Sequence, residues 1–256
     1  MIIVFVGAGN LATPLSLEMQ RAGMTIGQVY SRTADSAKLL AKKLNCSWTT
    51  KPEEIRSDAD LYVFALKDTA LDSVISKIRP NDGLWVHTAG SMPMKIFKGY
   101  AKRYGVLYPL QTFSKGRVIT SDKIPFFLEA QTEADMKVLK KVASALSKNV
   151  QVLSSDKRKS LHLAAVFACN FSNHMYVLAG KILEEQDIPV KVLQPLIEET
   201  AAKLNSMTPE MAQTGPAVRY DKDVINRQLD MLTDPNMKEI YQLLSDSIHK
   251  EASGDE

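Results

Sequence analysis

The first 150 residues alternate short, unbroken apolar runs with stretches whose apolar residues recur every three or four positions. The runs Met1–Val6, Thr25–Tyr30, Asp60–Ala65, Leu84–His87, Gly105–Leu110, Pro125–Ala130 and Val150–Leu153 have the length and composition of buried strands. Between them, Leu11–Ala22, Ala34–Leu44 and Glu133–Lys148 carry helical spacing, and Gly23 ends the first as a C-terminal glycine does. Strands with no polar alternate face imply a sheet covered on both sides. The alternation therefore predicts an α/β domain: a doubly wound, mostly parallel sheet with helices on both faces.

After Ser154 the pattern changes. From Asp156 to Glu185, apolar residues at Leu161, Ala164, Ala165, Ala168, Phe171, Met175, Leu178, Ala179 and Ile182 keep helical spacing, which predicts one long helix. Further helices are expected at Val190–Ser206, Asp221–Leu232 and Pro235–His249, punctuated by Pro209, Gly215, Pro216 and Pro235. The last six residues, EASGDE, are expected to lie outside ordered structure. The predicted division is an α/β domain over residues 1–154 and an all-α domain over residues 155–256. So long a helix finds few partners in so short a domain, which predicts a homodimer through the helical half.

The segment Gly7-Ala8-Gly9-Asn10-Leu11-Ala12 fits G-x-G-x-x-A directly between the first strand and the first helix. In that place Gly7 permits the tight turn, Gly9 lets backbone approach a pyrophosphate, and Ala12 allows close helix–strand packing. The helix N-terminus supplies amides and the positive end of its dipole. The domain thus reads as a Rossmann dinucleotide-binding domain. Strand two runs into Tyr30-Ser31-Arg32-Thr33, with no carboxylate before Asp35. An NAD site usually places Asp or Glu there for the ribose 2′-hydroxyl. Arg32 suits a 2′-phosphate instead, with Ser31 and Thr33 as hydrogen-bond donors, so NADP is the expected cofactor. After strand four, Leu66 is placed to flank the nicotinamide ribose and Lys67 to reach phosphate or substrate. Asp68 reads as the N-cap of the next helix.

Charge sharpens this picture a little. Residues 1–154 carry 21 basic against 13 acidic side chains, and residues 155–256 carry 11 against 16. A basic first half suits a polyanionic cofactor, while a net charge of +3 gives no reason to expect nucleic acid. Two cysteines, Cys46 and Cys169, supply neither a disulfide framework nor a four-thiolate metal site. No apolar run reaches the roughly 18 residues of a membrane span. The first ten residues lack the pattern of a signal peptide, so a cytoplasmic protein is expected.

GAGNLA, the SRT after strand two and the ALKD after strand four resemble the NADP domain of pyrroline-5-carboxylate reductases and deazaflavin-dependent NADP oxidoreductases. Four further segments resemble a bacterial family that joins a Rossmann-like domain to a helical C-terminal domain of unknown function. They are His87–Ser91 (HTAGS), Tyr108–Phe113 (YPLQTF), Ala168–Phe171 (ACNF) and Thr214–Asp221 (TGPAVRYD). The resemblance covers nearly the whole chain and implies an NADP-binding oxidoreductase. The last segment departs from the family's TGPAxRGD by placing Tyr220 where glycine is usual, which puts the local turn in question.

Substrate is expected between the carboxyl ends of the Rossmann strands and the helical domain. On the first side, His87 reads either as a general acid or base or as a histidine capping the sheet edge. On the second, His162, Val166, Asn170 and Asn173 share one stripe of the long helix if its period is regular. Asn170 and Asn173 read as substrate or nicotinamide contacts, or as polar contacts between helices. Thr214 offers a hydroxyl. Arg219 reads as a clamp for a substrate carboxylate, or as the partner of Asp221 in a structural ion pair. The sequence thus predicts an NADP-dependent oxidoreductase with Asn170, His87 and Thr214 at the chemistry and a small substrate, one that can carry a carboxylate. The competing reading is a non-catalytic NADP-binding sensor or scaffold.

Overall fold

The computed structural model describes residues 1–114 and 121–254. It divides into two compact units, Met1–Cys169 and Asn170–Glu256.

The first unit is built on an eight-stranded sheet: β1 (Ile2–Val6), β2 (Thr25–Tyr30), β3 (Ser47–Thr49), β4 (Leu61–Phe64), β5 (Leu84–His87), β6 (Arg103–Pro109), β7 (Phe126–Ala130) and β8 (Val150–Val152). The spatial order is β3-β2-β1-β4-β5-β6-β7-β8. Strands β1 to β6 run parallel, β7 is antiparallel to β6, and β8 is parallel to β7. This is the doubly wound, mostly parallel sheet that the alternation predicts. The order reverses direction between β1 and β4, which makes that pair the topological switch point. Strand β3 escaped the sequence reading because it is three residues long with two of them exposed, too little for any pattern.

Alternate residues of each central strand serve two cores. Ile3, Phe5, Leu61, Val63, Leu84 and Val86 face helices α1 (Ala12–Arg21), α2 (Ala34–Leu44) and α4 (Glu133–Ser144). Val4, Val6, Tyr62, Phe64 and Trp85 face the other layer, where α3 (Asp68–Ile75) contributes Leu71, Val74 and Ile75. In that layer Phe64, Trp85 and Phe97 form an aromatic group with centroid separations of 5.0–5.8 Å. Every residue of β4 and β5 is buried, hence their apolar sequence up to His87, the last residue of β5.

Helix α5 (Ser155–Ala165) closes the unit and is held by a buried cation. Arg158 is fully buried; its guanidinium donates to Glu129 Oε2 at 2.6 Å and to the Met92 carbonyl. Ser155 Oγ donates to the same carboxylate at 2.7 Å and accepts from the Met94 amide at 3.0 Å.

The expected single helix over Asp156–Glu185 is interrupted. Residues Val166–Phe171 form a π-helix between α5 and α6 (Ser172–Glu184). The second unit holds α6, α7 (Gln194–Ala202), α8 (Pro209–Ala212), α9 (Lys222–Met231) and α10 (Pro235–Ser253). Its buried apolar residues are few: Leu178, Ala217, Ile225 and Met237. The expectation of an unstructured tail is corrected for Glu251–Ser253, which continue α10 to the left-handed cap Gly254; residues 255–256 lie outside the described residues.

Candidate functional site

The carboxyl edge of the parallel strands brings together every residue that the sequence assigned to the cofactor. Gly7 leaves β1 with φ +129°, and its amide donates to the Tyr30 carbonyl of β2 at 2.8 Å. A Cβ at Gly7 would run into the Ala65 carbonyl beyond β4, with Leu66 at van der Waals distance. This glycine is therefore required by its positive φ and by the close approach of the Ala65 backbone. Gly9 is different: it is exposed, and a Cβ there would meet nothing, so the space above its backbone is open. Ala8 and Ala12 are buried, Leu11 is half-buried and Asn10 is exposed.

Helix α1 starts at this turn with neither a side-chain cap nor an acid in its first turn. Helices α2, α3 and α4 all place acids there, and Thr132 also caps α4. The positive end of α1 is thus uncompensated by the chain itself, as an anion-binding terminus requires. At the end of β2, Ser31 is half-buried while Arg32 and Thr33 are exposed. Arg32 has no carboxylate partner among the described residues. Across β1, Lys67 is exposed and stands as the N-cap residue of α3. Asp68 is not that cap, contrary to expectation: it is the first helical residue, and its carboxylate accepts from the Ser91 hydroxyl.

His87 does not fit the role of acid or base. It is fully buried at the end of β5, its Nδ1 accepts from the Ala89 amide at 3.2 Å, and its ring lies against Phe97. Burial, followed by the nearby Arg158 cation, lowers its pKa to about 3. A neutral, buried imidazole of this kind braces the sheet edge.

The signal that the sequence reading left aside lies one strand further on. Tyr108, near the end of β6, hydrogen-bonds His162 Nδ1 of α5 at 3.0 Å. Gly90 backs onto the same imidazole, where a Cβ would sit 2.5 Å from Cγ. HTAGS, YPLQTF and the histidine of α5 thus meet in one place. Burial raises the Tyr108 pKa, opposed by the Arg158 cation, so the phenol stays protonated.

In the helical unit, Asn170 lies in the π-helix and Asn173 in α6, both exposed. The period of 3.6 that put them on one stripe does not hold through residues 166–171. Thr214 and Arg219 are exposed as well. Arg219 makes no ion pair with Asp221 among the described residues; Asp221 instead caps α9, accepting from the Val224 amide at 3.2 Å. That cap explains the aspartate of TGPAVRYD and leaves the arginine free.

A cleft of about 1040 Å³ opens at the other edge of the sheet, lined by Met1, Met24, Asp58, Asp60, Asp82 and Arg103. It lies at the amino ends of the strands, away from the phosphate-binding turn. Its acids are already engaged with Arg56, Lys102 and the Ile2 amide.

A glycine turn after the first strand, an open helix N-terminus and a switch point beside them define a Rossmann-type dinucleotide-binding domain. Residues 2–87 match the family model described as NADP oxidoreductase, coenzyme F420-dependent, and residues 124–248 match a domain of unknown function, DUF2520. A candidate NADP oxidoreductase from Bacteroides fragilis is 49% identical, with 97% of this chain and 98% of that chain covered and a TM-score of 0.92. The chain belongs to this family of NADP oxidoreductase domains joined to a DUF2520 domain. More distant structures share the fold. A pyrroline-5-carboxylate reductase from Coxiella burnetii is 15% identical over 98% of this chain and 97% of its own, with a TM-score of 0.58. A reductive aminase from Aspergillus terreus, in complex with NADPH and ethyl-5-oxohexanoate, is 16% identical over 98% of this chain and 87% of its own, with a TM-score of 0.63. No curated protein matches the chain.

Proposed function

We propose that the protein is an NADPH-dependent reductase of a small carbonyl or imine compound. The carrying observation is the combination of an uncapped α1 N-terminus at a glycine turn with an unpaired Arg32 at the end of β2. In this reading Gly7, Ala8, Gly9, Asn10, Leu11 and Ala12 hold the pyrophosphate through backbone amides. Ser31, Arg32 and Thr33 take the 2′-phosphate, while Leu66 and Lys67 border the nicotinamide half. Bound NADPH supplies the hydride; the chain supplies position and charge. Asn170, Asn173, Thr214 and Arg219 are exposed, and no partner engages their side chains among the described residues. The reading assigns them to the substrate, with Arg219 matched to a carboxylate. The homologue from Bacteroides fragilis and the C=N-directed names of the distant structures support this class.

We further propose that the protein works as a homodimer through its helical unit, whose apolar side chains are largely exposed in a single chain.

Calorimetry with NADPH and NADH tests the cofactor assignment. Arg32→Ala is expected to weaken NADPH binding by about 10–100-fold, the range of a lost hydrogen bond to a charged group, and to leave NADH unchanged. Equal affinity of the unmodified protein for both dinucleotides would remove Arg32 from the site.

A further inference from the structure

We propose that His162 is the catalytic proton donor of this reductase, delivering a proton from Nε2 to the substrate's oxygen or nitrogen, and that Tyr108 is its positioning residue. The proposal rests on the NADPH-dependent reading above and adds a residue to it.

Three observations converge. The first is register. Val6, Phe64, His87 and Val106 stand side by side across β1, β4, β5 and β6. Beyond that level β1, β4 and β5 turn into loops, whereas β6 continues to Pro109 and carries Tyr108 outward. With strands about 4.8 Å apart, β6 lies roughly 10 Å along the edge from β4. The adenosine end of the cofactor belongs over β2, at Arg32, and the pyrophosphate over β1. A dinucleotide held in this way would extend its nicotinamide half over β4 and β5, the side of the edge on which Tyr108 and His162 lie.

The second is how the imidazole is held. Tyr108 engages Nδ1 at 3.0 Å, the ring meets Tyr108 edge-on, and Gly90 leaves room for its other side. His162 is half-buried, and Nε2 makes no hydrogen bond among the described residues. One nitrogen is fixed and the other is open, which is the arrangement of a general acid oriented by a neighbour.

The third is the anchor. Arg158 precedes His162 by four residues, one turn of α5, so both side chains share a face. The Arg158–Glu129–Ser155 network explains why α5 sits at one fixed height against the sheet. His87, the other histidine of this edge, is fully buried.

The chemistry balances. The substrate's C=O carbon takes the hydride of NADPH, its π electrons move to oxygen, and oxygen takes the proton of the imidazolium Nε2. The imidazole is left neutral, Tyr108 keeps its own proton, and a proton taken up from solvent restores the imidazolium.

The test uses two probes that differ in their need for a proton. Reduction of cyclohexanone or pyruvate requires one, and reduction of the permanently charged N-methylpyrrolinium ion requires none. His162→Gln is expected to lose about 10²–10⁴-fold in kcat/KM on the ketones, the usual weight of general acid catalysis, while iminium reduction stays near wild type. Tyr108→Phe should shift the same ratio in the same direction by less. An independent readout is carbethoxylation of His162 by diethyl pyrocarbonate, followed by peptide mass spectrometry: NADP+ should slow it. Equal loss on both probes, no loss on either, ketone-inactive wild type, or unchanged labelling with NADP+ would overturn the proposal. Wild-type protein that reduces neither probe would overturn the reductase reading itself, and the proposal with it.

Discussion

The two units of this chain solve the burial problem in opposite ways. The Rossmann unit closes its own core: β4 and β5 are buried along their length, β1 from Ile3 onward, and even a full positive charge, Arg158, is enclosed against a partly buried carboxylate. The helical unit buries little and leaves Leu196, Met211, Met231 and Leu243 at 64%, 74%, 75% and 71% exposure. The lesson concerns what each sequence was shaped to meet. A sheet covered on both faces is complete as a single chain. Helices that keep apolar residues outward leave a surface uncovered, and a second copy is the occupant proposed above.

The largest expected effect breaks the first half of the comparison. Arg158→Ala leaves Glu129 and the Met92 carbonyl without their cation, and removing one partner of a buried pair costs about 3–5 kcal/mol. Denaturant unfolding should register that loss. Replacing Arg158 and Glu129 together by apolar residues of similar volume should cost much less. A single-variant cost under about 1 kcal/mol would mean that the network is not what seats α5.

Next comes the helical half. Met231→Lys with Leu243→Lys places charge on the exposed apolar surface. Each such side chain, once buried, contributes about 1.5–3 kcal/mol, so self-association should weaken by roughly 3 kcal/mol or more. Sedimentation of both proteins would show dimer against monomer. A wild type that is monomeric at high concentration would remove the reason given for the exposed residues.

A smaller effect sharpens what enclosure does to the Rossmann unit. His87 has a pKa of about 3 when folded, against an ordinary value of 6.5. The unfolded chain therefore binds a proton below pH 6.5 that the folded one refuses. Stability falls as pH drops from 6.5 toward 3, at about 1.4 kcal/mol per pH unit from this group alone. His87→Asn, which keeps an acceptor for the Ala89 amide, should flatten that limb. Identical pH profiles for the two proteins would show that His87 titrates freely.

Most of the first unit was legible in the sequence, because its strands are long enough to show continuous apolar character and the glycine turn has a fixed place after β1. What was missed had no local signature. The partner of Tyr108 is 54 residues away, and His87 owes its surroundings to the Phe97 ring and its lowered pKa to burial and the Arg158 charge. The helical unit was less legible for a different reason. Helical spacing in the sequence does not distinguish an α-helix from the π-helix at Val166–Phe171, nor a buried face from an outward one. The ion pair weighed for Arg219 and Asp221 is replaced by a helix cap that needs only the aspartate.

The smallest effect falls at Tyr220 in the helical unit. Tyr220 sits at φ +50°, a left-handed conformation costing about 1–2 kcal/mol in a residue with a Cβ. Its ring stacks on His249 at 4.1 Å and 12°, with the Lys222 ammonium 4.9 Å above it. Such a stack contributes about 0.5–1.5 kcal/mol, and an exposed cation over a ring about 0.5–1. The two sides nearly cancel, so the turn that glycine would form freely is here formed by an aromatic ring that holds itself in place. Tyr220→Gly, removing strain and stacking together, should move unfolding by less than about 1 kcal/mol. Tyr220→Ala keeps the strain and loses the ring, and should cost about 1–2 kcal/mol. Alanine no more damaging than glycine would mean that the left-handed backbone carries no strain at this turn, and an alanine variant as stable as the unmodified protein would mean that the stacking contributes nothing.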